Sequence, residues 1–129
     1  MHSHGPIRVM LVDDHVESLI SIARLLRVLG YEVCVAPNGP RALVSAERFH
    51  PEAALIDLSL PGMDGFTIAR RLRAMEWARQ ALLIAMTGWE SDEYVQRTRE
   101  VGFDAHLVKP LSADALTDAL SAARLNLLP

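Results

Sequence analysis

Apolar residues fall into two rhythms that take turns along the chain. Five short runs have the length and branched character of strands: IRVMLVD at 7–13, YEVCVA at 31–36, AALID at 53–57, LLIAMT at 82–87 and AHLV at 105–108. The segments VMLV, AALI and LLIAM are apolar throughout, as strands covered on both faces are. Between the runs, apolar positions return at helical spacing. Val16, Leu19, Ile20, Ala23, Leu26 and Leu29 mark a helix over 16–29 that Gly30 ends. A second helix is expected over 41–49, after the turn Pro37-Asn38-Gly39 and before Pro51. Asp64 caps a third over 65–75, and Ser91 or Asp92 opens a fourth that stops near Gly102. Ser112 caps a fifth over 113–126, with Leu116, Ala119, Leu120, Ala123 and Leu127 along one face.

Strand and helix therefore alternate five times. That order predicts an α/β fold with a parallel sheet covered on both faces. A length of 129 residues, half of them hydrophobic, suits one domain with a sizeable core. The domain is placed at 7–128, behind a loose polar tail at 1–6 in which His2 and His4 carry no assigned role.

Charge and cysteine usage narrow the function classes. The net charge is −3 and no basic run occurs, which argues against direct nucleic-acid binding. No segment approaches the apolar length needed for membrane insertion. The lone Cys34 excludes an internal disulfide and reads as a small core residue.

In an open parallel sheet, function gathers at the carboxyl ends of the strands. The first run ends in Asp13-Asp14, the third in Asp57, the fourth in Thr87-Gly88 and the fifth in Lys109-Pro110. Crowded carboxylates repel one another, and a hard divalent cation such as Mg²⁺ relieves that repulsion. With the cation bound, the site attracts a phosphate. Asp57 is then placed to act as a carboxylate nucleophile on phosphorus, with Lys109 neutralising the transferred group and Thr87 donating a hydrogen bond to it.

These residues, with the segments VMLVDDHVESLISIARLLRVLGYEV, AALIDLSLPGMDGFTIARRLR, LLIAMTGW and GFDAHLVKPL, resemble the receiver domains of two-component response regulators over nearly the whole chain. The resemblance implies a flavodoxin-like (βα)5 three-layer sandwich with strand order 2-1-3-4-5. It implies phosphorylation of Asp57 from a phosphohistidine on a sensor histidine kinase or histidine phosphotransfer protein, with output to a downstream effector. It implies Mg²⁺, with Mn²⁺ as a substitute, held by the Asp14 and Asp57 side chains and the Ser59 backbone carbonyl, with Asp13 acting partly through water. It also implies a cytoplasmic signalling module, not an enzyme, one that assists its own phosphorylation and dephosphorylation. A cis Lys109-Pro110 peptide and a homodimer built on the last two helices belong to the same family pattern. Thr87 and residue 106 form the family's switch pair, but His106 stands where many members carry an aromatic residue. Trp89, bulky and two residues past Thr87, is expected to cover part of the pocket, and the MTGW and GFDAHLVKPL segments lean towards receivers of hybrid kinases.

Three rivals share parts of this pattern. An aspartyl-phosphate phosphatase of the haloacid-dehalogenase type would carry its nucleophile on the first strand in Asp-x-Asp. A flavodoxin would need a Ser/Thr/Gly-rich loop where Asp13-Asp14-His15 stands. A degenerate receiver would keep the fold as a protein-interaction module but not accept phosphate.

Overall fold

The computed structural model describes residues 5–88 and 92–126. Trp89, Ser91, Leu127 and the tail residues His2 and His4 lie outside them. Five strands, β1 (Arg8–Val12), β2 (Glu32–Ala36), β3 (Ala53–Asp57), β4 (Leu82–Thr87) and β5 (Ala105–Val108), alternate with five helices. These are α1 (Val16–Val28), α2 (Gly39–Phe49), α3 (Gly65–Arg73), α4 (Asp92–Glu100) and α5 (Ala113–Asn126). All strand pairs are parallel, in the order β2-β1-β3-β4-β5. This is the flavodoxin-like (βα)5 sandwich.

The two-residue period of the strands sorts their side chains between two cores. Met10, Val12, Ala54, Ile56, Leu83 and Ala85 face α2 and α3, where they meet Ala42, Ala46, Phe66, Ile68 and Leu72. Their neighbours Val9, Leu11, Leu55, Ile84 and Met86 face α1 and α5, where they meet Leu19, Ala23, Leu26, Leu116 and Leu120. Each of the larger side chains contributes about 1.5–3 kcal/mol by leaving water. The continuous apolar strands thus have helices on both sides.

Helix ends follow local chemistry. Leu29 closes α1, and Gly30 follows it at φ 97°, a left-handed conformation that costs glycine little. Asp64 caps α3 by accepting from the Thr67 N–H at 2.9 Å, and Ser112 caps α5 through the Ala115 N–H at 3.1 Å.

Four details depart from the sequence reading. Helix α2 starts at Gly39, because Asn38 is an N-cap that accepts from the Arg41 N–H, and Pro40 fits the first turn, where its missing donor costs nothing. A 3-10 turn at Glu76–Ala78 follows α3, which stops at Arg73. On α1 the buried stripe is only Leu19, Ala23 and Leu26; Val16 and Ile20 are 66% and 53% exposed. Cys34 is half-buried, since β2 is an edge strand.

At the amino end of the sheet, the Arg73 guanidinium donates to the carbonyls of Ala78, Ala81 and Gly102 and to Asp104 Oδ2. It ties α3, the start of β4 and the approach to β5 together. The opposite end is left for chemistry.

Candidate functional site

The register brings the carboxyl ends of the four contributing strands to one edge. Val12 pairs with Ile56, Asp57 with Met86, and Thr87 with Val108. Backbone bonds continue past the strands: Asp13 N–H donates to the Ala36 carbonyl, Leu58 N–H to Met86, and Lys109 N–H to Thr87 at 2.8 Å. The residues that leave the sheet are therefore still held by it.

Asp13 is wholly buried, and Asp57 and Thr87 are each 4% exposed. Lys109 Nζ donates to Asp13 Oδ2 at 2.7 Å and to Asp57 Oδ2 at 3.0 Å. The other oxygen of Asp57 accepts from the Ser59 N–H at 2.9 Å, which fixes the carboxylate plane. The other oxygen of Asp13 accepts from the His15 N–H at 3.0 Å. Burial pushes the Asp13 carboxyl up, but the bonds from Lys109 and from the His15 backbone outweigh it and hold the group below its usual value. Burial likewise works against the Lys109 ammonium, and the two carboxylates overcome it and raise the group above ordinary lysine.

Asp14 is different. Its Oδ1 is buried and accepts no hydrogen bond. His15 Nδ1 lies 3.3 Å from that atom without hydrogen-bond alignment. One ammonium thus faces three carboxylates, and one of their oxygens is orphaned. Oxygen donors of Asp13, Asp14 and Asp57, with a ring nitrogen of His15, lie within 4.8 Å of one another. Such a donor set fits a hard divalent cation, which would take up the unpaired oxygen and the excess negative charge.

The loop between β3 and α3 is pinned by Gly65. A Cβ there would stand 2.6 Å from the Asp57 carbonyl oxygen and 2.9 Å from Leu58 Cα. Only glycine lets the first turn of α3 approach the strand end so closely. Beyond it, Phe66 is buried, and the Arg97 guanidinium of α4 sits 4.1 Å from its ring centre.

The sequence-predicted residues Asp13, Asp14, Asp57 and Lys109 come together directly. Thr87 and Ser59 stand at the same edge, and the Lys109-Pro110 peptide is cis. His106 lies on β5, partly exposed, beside Ala85 of β4. His15 was not singled out as a site residue. Its signal was its place immediately after the acid pair, where the chain turns into α1.

The family model of the response regulator receiver domain matches residues 9–121. The virulence sensor protein BvgS of Bordetella bronchiseptica is 34% identical over 122 residues, covering 91% of this chain and 10% of that protein. Sporulation initiation phosphotransferase F of Bacillus subtilis is 29% identical over 113 residues, covering 88% of this chain and 90% of that one. Among solved structures, the chemotaxis protein CheY4 of Vibrio cholerae superposes with a TM-score of 0.88 at 27% identity, covering 92% of this chain and 99% of that one. The receiver domain of sensor histidine kinase PA1611 from Pseudomonas aeruginosa, with a magnesium ion coordinated in its active site cleft, gives 0.83 at 31% identity, covering 92% and 97%. The chain spans a tenth of the length of the Bordetella relative and most of the length of the Bacillus one.

Proposed function

Because the chain belongs to the response regulator receiver domain family of two-component signalling, we propose that Asp57 is its phosphoacceptor. The donor is a phosphohistidine on a sensor histidine kinase or a histidine phosphotransfer protein. A carboxylate oxygen of Asp57 attacks phosphorus, the P–N bond breaks, and its electron pair stays with the departing imidazole. Asp13, Asp14 and Asp57, with the Ser59 backbone carbonyl, would hold Mg²⁺ or Mn²⁺, Asp13 partly through water. Such an ion supplies the positive charge that lets an anionic phosphoryl group approach three carboxylates.

Lys109 begins 3.0 Å from Asp57 Oδ2, so it needs little movement to pair with phosphoryl oxygens instead. Thr87, at the end of β4, donates to the same group. These new acceptors favour one arrangement of the segment after β4 over another, since a ligand shifts an equilibrium only by its differential interaction with the two states. The change is read on α4, β5 and α5, with His106 in the place of the usual aromatic partner. A downstream effector takes up the signal, and the cytoplasm is the setting.

The observation that carries this reading is the buried Asp13–Lys109–Asp57 bridge beside the orphaned Asp14 oxygen. The test is intact mass after incubation with Mg²⁺ and acetyl phosphate. One added phosphoryl group in the wild type, absent from Asp57→Ala and without Mg²⁺, is the expected result. No gain with several small donors would instead make the chain a degenerate receiver that works through protein contacts alone.

A further inference from the structure

We infer that His15 is a nitrogen ligand, through Nδ1, to the divalent ion held by Asp13, Asp14 and Asp57, and that it moves the preference of the site from Mg²⁺ towards first-row transition ions, of which Mn²⁺ is the mildest case. This rests on the proposed cation site and adds to it a residue of this chain.

The geometry points there from two sides. His15 Nδ1 is 3.3 Å from Asp13 Oδ1, with which it shares a long hydrogen bond that an ion would replace, and 3.3 Å from Asp14 Oδ1. Adjacent ligands of an octahedral ion with bonds near 2.1 Å stand about 3.0 Å apart. The ring nitrogen therefore stands from each of the two oxygens at nearly the spacing of a pair of neighbouring ligands on one ion. The second side is the state of the atoms. Asp14 Oδ1 is buried without a hydrogen-bond donor, so the nearest polar atom of His15 does not satisfy it. A cation between the two would bond both.

The backbone keeps the ring in place independently. The His15 N–H is bonded to Asp13 Oδ1 at 3.0 Å, and the residue is the N-cap of α1 without a side-chain capping bond. The imidazole is therefore not used by the helix. Its side chain is 70% exposed, so an ion enters from solvent past the ring. Carboxylates and water suit Mg²⁺, whereas an imidazole favours first-row transition ions over it. One added nitrogen would thus matter little for Mg²⁺ and more for Mn²⁺.

The probe is Mn²⁺ alone, on the full chain, with pulsed electron paramagnetic resonance and calorimetric titration. Wild type should show nitrogen hyperfine coupling to bound Mn²⁺. His15→Ala and His15→Gln should lose that coupling, which also separates His15 from the tail residues His2 and His4. Removing the ligand should weaken Mn²⁺ about tenfold and Mg²⁺ less than threefold. Mn²⁺ that binds without nitrogen coupling, or equally well to His15→Ala, overturns the inference and leaves the carboxylate site standing. Failure of either ion to bind the wild type overturns both.

Discussion

Replacing Gly65 by alanine sets two opposed effects against each other at the site. Alanine favours helix over glycine by about 1 kcal/mol in a helix interior and less at a first position such as this one. On propensity alone, Gly65→Ala would stabilise the protein. The contact acts the other way. The new Cβ would lie 2.6 Å from the Asp57 carbonyl oxygen, where ordinary contacts begin at 3.4 Å, so strand end and helix must part by about 0.8 Å. The obstacle is backbone on both counts, Asp57 and Leu58, so no side chain can swing aside. Overpacking of this kind costs about 1–3 kcal/mol, which exceeds the propensity gain. The net loss should be about 1–2 kcal/mol, or a melting temperature lower by roughly 4–8 °C. The displaced group is the backbone of Asp57 itself. Misplacing a reacting group by 1 Å costs about a hundredfold in rate, so a shift shared along the loop should slow phosphorylation by acetyl phosphate about tenfold. Gly62→Ala is the control: its φ of 76° strains alanine, but nothing lies within 4 Å, so stability should fall while the phosphorylation rate holds. A Gly65→Ala protein with wild-type melting and wild-type phosphorylation kinetics would refute the reasoning.

Other residues carry separable expectations. Lys109→Ala leaves buried Asp13 and Asp57 without their cation and should lower metal-free stability by about 2–3 kcal/mol, mostly restored by Mg²⁺; equal losses in urea melts with and without Mg²⁺ would contradict this. Arg97→Ala removes the guanidinium over the Phe66 ring and should cost about 0.5–1 kcal/mol, seen as faster amide exchange in α4 with phosphorylation of Asp57 retained. Burial, and after it the charge of Glu32, pushes the Cys34 thiol up to about 11. The thiolate forms only as pH rises, so iodoacetamide labelling should climb about tenfold per pH unit up to that value. A plateau near pH 9 would show a thiol less shielded than the structure implies.

Strands were legible because their signal is local. AALID, LLIAMT and AHLV have the bounds of β3, β4 and β5, and the polar residue that ends the first two, or directly follows the third, is the one that stands at the site. The acid pair, Asp57, Thr87 and Lys109 could be gathered at one edge from strand direction alone. Details set by three-dimensional neighbours were less visible. Val16 and Ile20 have helical spacing, but α1 turns Leu19, Ala23 and Leu26 to the core and leaves these two facing solvent. Asn38 looked like a turn residue because the same side chain that favours turns also caps helices, and here the Arg41 N–H decides for the cap. Cys34 alternates like a core residue, yet only the strand order reveals that β2 is an edge. His15 offers no period, only its place directly after the acid pair. The turn into α1 returns its ring to the oxygens of Asp13 and Asp14.

The central claim is that this edge makes an aspartyl phosphate at one residue. Borohydride reduction of the phosphorylated protein, followed by peptide mass mapping, reports which carboxyl carried the phosphoryl group. The account predicts reduction at Asp57 alone, in a Mg²⁺-dependent reaction. Reduction at Asp13 or Asp14, or at no residue under conditions where divalent ions bind, would contradict it.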